Sequence, residues 1–195
     1  MINLEKALHL AREEFQRRVT SVMGVKAGVR IDLEGRLVVP LYGHEYALPV
    51  RDGEDVAPAV EILLLHYLTR ASGLLPEGEK VSFKELPDGF IYNVPFTNRV
   101  IRPLVATFGK EPPLLLRAGE RLGGKPVPFG DAAVELLALP RVPVTFIVWG
   151  GDAEFPPNGS ILFDGTVPGY LSTEDCVVLA QMGVGALRAA LKTLS

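Results

Sequence analysis

A continuous apolar run, PVTFIVW at residues 143–149, constrains the fold of this chain more than any other segment. Its length and its β-branched and aromatic residues are typical of a buried strand. Gly150-Gly151 follows directly, and after a Pro pair the step Asn158-Gly159 leads into SILFD at residues 160–164. Asn-Gly is favoured in tight hairpin turns because both residues tolerate positive φ. The sequence therefore predicts a hairpin built from these two strands.

The loop of this hairpin carries acidic side chains. Asp152 and Glu154 follow the first strand, and the expected pairing puts Asp164 on the return strand, roughly opposite Gly150 or Trp149. Three carboxylates at one strand end could hold a hard cation through their oxygens, or they could supply an acid–base pair. The alternative is that the acids cap backbone N–H groups of a rigid turn, as Asp often does in Gly-rich loops. Both interpretations stay open at this point.

The first third of the chain changes from a helical period to a strand period. Apolar residues at three- and four-residue steps predict an amphipathic helix over residues 4–22. Short alternating segments with Gly-containing turns predict a three-stranded meander between Val25 and Val50. A broad apolar stripe then predicts a central, buried helix over residues 60–71.

The middle and the end of the chain add further elements. VSFKEL at residues 81–86 fits a short helix or a strand, whereas residues 97–109 and 112–124 each predict a short helix. AVELLALP at residues 133–140 predicts another strand, and residues 173–194 predict a long final helix. Ser172 or Thr173 caps that helix, and Glu174 and Asp175 suit the positive end of its dipole.

These elements predict one α+β domain over residues 1–195. Antiparallel strand groups, an N-terminal meander and a C-terminal hairpin, pack with about four to six helices. Residues 1–54 supply the first helix and the meander. A chain of 195 residues can bury a sizeable core without metal or disulfide staples.

Composition excludes several classes of protein. The net charge of −3 gives no broad attraction for nucleic acid or for an anionic membrane. A single cysteine, Cys176, excludes a cysteine-ligated iron–sulfur cluster and a four-cysteine zinc site within this chain. The N-terminus has no apolar signal core, so we expect a soluble, cytoplasmic protein without a membrane partner.

Two isolated side chains have more than one interpretation. His66 lies in the strongly apolar third helix, where a hydrogen-bonded core histidine is favoured over a metal or haem ligand. Cys176 lies in the first turn of the last helix, where the helix dipole would lower a thiol pKa but Glu174 and Asp175 oppose that effect. We expect a structural thiol there.

Several segments together resemble an uncharacterised family of prokaryotic proteins, found mainly in anaerobes and defined as a domain of unknown function. The segments are EILLLHYLTRASG, EKVSFKELPDGFIY, RVPVTFIVWGGDAEFPPNGSILFD and GYLSTEDCVVLA, and the resemblance spans about residues 55 to 185. The matching motif positions are Ser82, Phe83, Glu85, Leu86, Trp149, Asp152, Glu154, Phe155, Pro156, Asp164, Glu174 and Asp175.

The resemblance implies a setting rather than a reaction. Some members of the family are described as iron–sulfur proteins because they carry or adjoin a cysteine-rich segment, which this sequence lacks. The implied setting is anaerobic metabolism around metal-cluster or corrinoid enzymes. Polar motif positions on loops tend to serve binding, so the resemblance also favours the acidic hairpin as a site.

We therefore predict an accessory or ligand-binding protein of anaerobic metabolism, which takes a small molecule or a cation. The sequence identifies no cofactor and favours a binding protein over an enzyme. The metal ligands in this prediction are Asp152, Glu154 and Asp164. The wider pocket is lined by Trp149, Asp152, Glu154, Asp164, Ser82, Glu85 and Tyr92.

Two alternatives belong to different functional classes. The first is an enzyme whose general base is Glu154 or Asp152, with a pKa raised by burial beside Trp149. The second is a module that binds a protein partner through the last helix or through an edge strand of the meander.

Overall fold

The computed structural model describes residues 4–192. It contains seven α-helices and eight strands in that range. The helices are α1 (Leu4–Gln16), α2 (Thr20–Ala27), α3 (Pro58–Arg70), α4 (Gly89–Phe96), α5 (Arg102–Phe108), α6 (Pro113–Arg121) and α7 (Thr173–Lys192). The strands are β1 (Arg30–Ile31), β2 (Leu37–Leu41), β3 (His44–Leu48), β4 (Lys80–Ser82), β5 (Lys125–Pro126), β6 (Ala132–Leu139), β7 (Val142–Trp149) and β8 (Asn158–Asp164).

The larger of two sheets is antiparallel and has the order β4-β8-β7-β6-β5. Its central strand is β7, in which every residue before Trp149 is buried. Residues 143–148 are predominantly apolar because β7 is covered on both faces of the sheet. This confirms the predicted buried strand and its hairpin with residues 160–164. The predicted turn at Asn158-Gly159 was wrong, because both residues lie in β8, paired with Trp149 and Val148, and the chain reverses in the preceding loop, residues 150–157.

Helices α5, α6 and α7 lie against this sheet and close the main core. The approach of α6 is tight, because a Cβ atom at Gly119 would lie 2.4 Å from Cγ2 of Val134 on β6. Helix α7 is equally close at Gly183, where a Cβ atom would lie 2.4 Å from the ring of Phe146 on β7. Only glycine leaves room for these two side chains of the sheet at such distances from the helices.

The smaller sheet, β1-β2-β3, is the predicted meander. Tyr42, in the turn between β2 and β3, joins it to the rest of the core. Its backbone N–H donates to the carbonyl of Ala138 at 2.9 Å, and its hydroxyl donates to the carbonyl of Leu179 at 2.9 Å. These bonds hold Tyr42 at a φ of 47°, a left-handed conformation that few residues other than glycine adopt.

Helix α3 is the buried helix that the apolar stripe predicts. Leu63, Leu64, Tyr67 and Leu68 are each at most 1% exposed. Helix α1 packs on α3, and Arg12 forms a paired contact with the buried carboxylate of Glu61, with N–O distances of 2.7 and 2.8 Å. Two hydrogen bonds from a charged guanidinium satisfy a carboxylate that would be costly to bury alone.

Helices α4 and α5 are joined by a π-helical segment, Thr97–Ile101, into one continuous helix. Pro95 lies inside α4 and Pro103 lies in the first turn of α5. Proline lacks the N–H that an α-helical hydrogen bond requires, so the regular pattern is interrupted near both residues. If α4 and α5 are counted as one helix, the described part of the chain has six helices. This agrees with the predicted α+β fold of about four to six helices.

The predicted helix over residues 4–22 was wrong in one respect. The structure has two helices there, because the chain leaves the helical conformation at Val19, where φ is −82° and ψ is 117°. The second helix then runs past Gly24 and ends at Gly28, which adopts a φ of 69°. The predicted end of the last helix, at Leu194, lies outside the described residues.

Within residues 4–192, none of the helices combines the length and hydropathy that a bilayer span requires.

Tyr67 provides a stability test of this packing. Its buried hydroxyl donates to the carbonyl of Ala27 at 2.6 Å and accepts from the N–H of Arg141 at 3.2 Å. Tyr67→Phe leaves both backbone groups without a partner, so we expect the free energy of unfolding to fall by about 1–3 kcal/mol. Urea denaturation followed by circular dichroism measures this.

The matched control is Tyr46→Phe on β3, whose hydroxyl forms no hydrogen bond within the described chain. Equal stability of wild type and Tyr67→Phe would show that the two bonds contribute nothing net.

Candidate functional site: a histidine–aspartate cleft

The three hairpin carboxylates do not converge. Trp149 pairs with Asn158 at one end of the hairpin, whereas Val144 pairs with Phe163 near the other end. Asp164 therefore lies about 20 Å along β8 from Asn158, at roughly 3.4 Å per residue. The expectation that Asp164 stands opposite Gly150 or Trp149 was wrong, because Asn158 rather than a later residue begins the return strand.

Asp152 caps its own loop. Its Oδ1 accepts the backbone N–H of Phe155 at 2.7 Å and that of Glu154 at 2.8 Å. The same two hydrogen bonds, that from Phe155 first, hold the pKa of Asp152 below its ordinary value. Glu154 and Asp152 are both exposed. At Asp152 the loop is therefore a rigid turn whose acid caps backbone N–H groups, which is the alternative to a cation or acid–base site.

Asp164 is fully buried and joins two loops. Its carboxylate accepts the Thr166 hydroxyl at 2.7 Å and the Gly78 N–H at 2.7 Å, with longer bonds from the N–H groups of Glu77 and Thr166. Burial opposes ionisation, but these hydrogen bonds outweigh it and the pKa of Asp164 is lowered. Among the described residues, no three His, Cys, Asp or Glu side chains are grouped as a metal site requires.

The other predicted site residues lie in three different places. Ser82 ends β4, and its N–H donates to Oε2 of Glu85 at 2.7 Å in a capping box. Trp149 ends β7 and is 39% exposed. Tyr92 belongs to α4 and lines a different part of the surface, which is described next.

A histidine–aspartate pair joins α3 to the start of α7. Nδ1 of His66 lies 2.8 Å from Oδ1 of Asp175. The Asp175 side chain is 8% exposed, and that of His66 is 29% exposed. The aspartate is thus an interior group, while part of the histidine ring reaches the surface.

Asp175 is positioned by the cap of its own helix. Ser172 donates both its N–H, at 3.0 Å, and its hydroxyl, at 2.6 Å, to Oδ2 of Asp175, and the N–H of Asp175 donates to the Ser172 hydroxyl at 3.2 Å. This is a capping box, in which the carboxylate three residues into the helix returns to the capping residue. One oxygen of Asp175 is committed to the cap, and the other holds His66.

The charge of Asp175 fixes the hydrogen position on His66. Burial opposes ionisation of Asp175, but hydrogen bonds from His66 and Ser172 outweigh it and lower its pKa. An ionised carboxylate only accepts hydrogen bonds, so Nδ1 of His66 must be the donor. In a neutral ring Nε2 then carries a free lone pair and can accept a proton or a hydrogen bond.

Two cavities meet at this pair, one of about 460 Å³ and one of about 430 Å³. They share five lining residues, so they are adjoining parts of one depression, which we call the His66 cleft. The shared residues are His66, Tyr92, Thr173, Glu174 and Asp175.

Helical periodicity builds the walls of the His66 cleft. Ile62, His66 and Arg70 recur every four residues and so share one face of α3. Glu174 and Val178 share the facing side of α7 in the same way. The start of α1 and helix α4 complete the cleft.

The two halves of the cleft differ in polarity. The smaller half has an apolar wall and one cation, Arg99, which has no ion pair within the described chain. The larger half carries Arg70, whose guanidinium lies 3.6 Å from Oδ2 of Asp175. The apolar wall consists of Leu4, Ala7, Ala59, Ile62, Leu63, Pro95, Val177 and Val178.

Cys176 lines the larger half of the cleft but is itself buried. Burial raises the pKa of its thiol far above the ordinary value of 9.0, and the charge of Asp175 acts in the same direction. The group is therefore protonated and unreactive at neutral pH. The sequence favours a structural thiol at Cys176, and its burial is the physical reason for that role.

Sequence reasoning missed this cleft. It treated His66 as a core histidine and Asp175 as a dipole-compensating residue, 109 positions apart. The spacing Ser172-x-x-Asp175 did signal the cap, and the motif blocks did include Asp175 and a segment containing His66. Their meeting depends on how α3 crosses α7, which no local pattern specifies.

The fold and the cleft define an α+β protein in which helices α1, α3, α4 and α7 surround a carboxylate-anchored histidine. The chain belongs to the family described as domain of unknown function DUF3786, whose model matches residues 21–186. The resemblance to an uncharacterised family is thereby confirmed, and the match includes the meander, which the resemblance over about residues 55 to 185 left out. No curated protein and no solved structure matches the chain.

The lowered pKa of Asp175 predicts a pH-dependent contribution to stability. A carboxylate with a folded-state pKa below its unfolded value stabilises the fold above that unfolded value, and the contribution is lost as pH falls through the folded pKa. The ordinary value is 3.8. We expect Asp175→Asn to be less stable than wild type at about pH 5, with the difference narrowing by about pH 3.

Urea unfolding at both pH values measures this difference. Glu174→Gln, at the exposed neighbouring carboxylate, is the matched control and should change little at either pH. A gap that stays constant from pH 5 to pH 3 would contradict a lowered pKa at Asp175.

Proposed function

We propose that the protein binds a small amphipathic molecule in the His66 cleft, as a ligand-binding or accessory protein. The observation that carries the proposal is the anchored histidine at the junction of an apolar and a polar cavity. Nδ1 of His66 is held by Asp175, and Nε2 is left for a ligand. The ligand would place a hydrogen-bond donor at Nε2 and its apolar part on the wall formed by Ile62 and Val178.

The size and lining of the cleft support a small molecule rather than a polymer. Each half has the volume that binding sites for small molecules commonly show, and the smaller half is mainly apolar with few polar groups. Tyr92 is 43% exposed and borders both halves, so its ring is available for stacking. Apolar contact would supply most of the affinity, and His66 would select for a donor group.

Catalysis at the same pair is a second candidate. A histidine oriented by a carboxylate through Nδ1 is the usual arrangement of a general base, with Nε2 as the atom that takes the proton. The interior position of Asp175 favours this role, since it keeps the carboxylate charge close to the ring. Binding and catalysis differ in the fate of the ligand, which stays intact in the first case and is converted in the second.

The acidic hairpin supports a general base less well. Asp152 is exposed, and its hydrogen bonds from Phe155 and Glu154 lower its pKa, whereas a base working near neutral pH needs a raised one. Glu154 is exposed as well. A ligand-binding role for either residue stays a prediction, as does cation binding by these two carboxylates without Asp164. Calorimetric titration of Asp152→Ala and Glu154→Ala with divalent metals tests both.

The anaerobic setting stays a prediction, including service to metal-cluster or corrinoid enzymes. The visible spectrum of the protein as purified tests it, because a bound cluster, haem or corrinoid absorbs there. The partner-binding alternative also stays a prediction, and the mass of the protein in solution with and without candidate partners tests it.

The main test is a fragment screen observed by two-dimensional amide NMR. We expect donor-bearing aromatic or aliphatic fragments to shift the amides of Ile62, His66, Tyr92 and Val178 together. His66→Ala should weaken the best fragment roughly tenfold, which is the effect of one lost hydrogen bond. Tyr92→Ala should weaken it by a similar factor through lost stacking area.

His9→Ala is the matched control, because His9 is an exposed histidine on α1 paired only with Glu13. Asp152→Asn is a second control and should leave affinity unchanged. Fragments that bind with equal affinity to wild type and to both His66→Ala and Tyr92→Ala would refute the proposed site. Conversion of a bound fragment in wild type, absent in His66→Ala, would favour the catalytic candidate.

A further inference from the structure

A separate polar cavity of about 300 Å³ lies between the outer edge of β8 and the joined helix of α4 and α5. None of its lining residues belongs to the His66 cleft. Its polar side chains come from four segments: Ser82, Lys84, Asn93, Thr97, Asn158 and Ser160. Two of these segments, around Ser82 and around Asn158, also carry the motif blocks of the sequence.

The cavity exists because β4 stops early. The pairing of β4 with β8 ends where Ser82 meets Leu162, so residues 158–161 of β8 have no strand on that side. The chain then turns into α4 and the π-helical segment, which lie over the open edge. An uncovered strand edge presents backbone groups without ladder partners, and here side chains and a cavity take the place of the missing strand.

The floor of the cavity is apolar and rigid. Phe83 and Phe96 stack with ring centroids 4.0 Å apart and an interplanar angle of 1°, and both are buried. Ile161 of β8 is buried beside them. Such a floor fixes the positions of the polar groups around it, and π-helical segments such as the one carrying Thr97 are frequent at functional sites.

The polar rim is rich in hydrogen-bond donors and carries a single cation. Oδ1 of Asn158 accepts the N–H of Gly159 at 2.8 Å, which leaves the Nδ2 amide as a donor. Lys84 is exposed and has no ion pair in the part of the chain that the structure describes. No carboxylate lines the cavity, and that of Glu85 nearby accepts the N–H of Ser82.

From this arrangement we infer a second binding site, for a small ligand that carries an oxyanion, either a phosphate or a carboxylate. Lys84 pairs with the oxyanion, while the side-chain amides of Asn93 and Asn158 and the hydroxyl of Thr97 donate to its oxygens. Charge-assisted hydrogen bonds of this kind are stronger than neutral ones. The apolar part of the ligand lies over the phenylalanine floor.

The test uses inorganic phosphate and acetate as separate probes, titrated into the full chain and followed by amide NMR at constant ionic strength. We expect saturable shifts of the amides of Ser82, Asn93, Thr97 and Gly159 with at least one probe. The probe that binds more tightly assigns the oxyanion as phosphate or carboxylate. Lys84→Gln should weaken that probe about tenfold, since it removes the charge from the contact.

Lys125→Gln is the matched control, at an exposed lysine on β5, the opposite edge strand of the same sheet. His66→Ala should leave the titration unchanged, because His66 belongs to the other cleft. Because Lys84 is exposed, its substitution should leave the fold intact, and the amide spectrum reports this directly. Shifts that do not saturate with either probe, or that are the same in Lys84→Gln, would overturn the inference.

Discussion

The interior carboxylate of Asp175 must be matched by hydrogen-bond donors, and much of the arrangement around the His66 cleft follows from this requirement. An ionised group taken out of water without partners costs several kcal/mol. Ser172 supplies two donors from the cap of α7, and His66 supplies one from α3. The pairing holds the two helices in one relative position. The cleft is the space that remains between them once that position is set.

The same constraint operates at two further places. Glu61 and Asp164 are the other carboxylates buried within residues 4–192. Arg12 of α1 satisfies Glu61, and Asp164 is satisfied by the loops that contain Gly78 and Thr166. In each case the donors that satisfy the carboxylate include one from a distant part of the chain. The buried acids thus specify how segments meet, while the apolar core around β7 supplies the general driving force.

Helix α4 and the π-helical segment separate two regions of different chemistry. Tyr92 faces the His66 cleft, whereas Asn93, the next residue, lines the polar cavity at the edge of β8. Successive helical residues point about 100° apart, so one short helix can serve both sides. The hairpin motif contributes Asn158 and Ser160 to the polar cavity. Its acids Asp152 and Asp164 instead serve as caps.

The sequence by itself determined most of the elements and the fold class. The apolar run of β7, the meander and the stripe of α3 are local patterns, and local patterns report which faces of a strand or helix are buried. The α+β class was predicted for that reason, and Ser172 was named as one of two possible caps. Only the tertiary structure decided that His66 meets Asp175, that Asp164 lies far from Asp152, and that β4 ends early enough to leave a cavity. These outcomes depend on strand register and on the crossing of helices, which are set by packing between segments that are distant in the sequence.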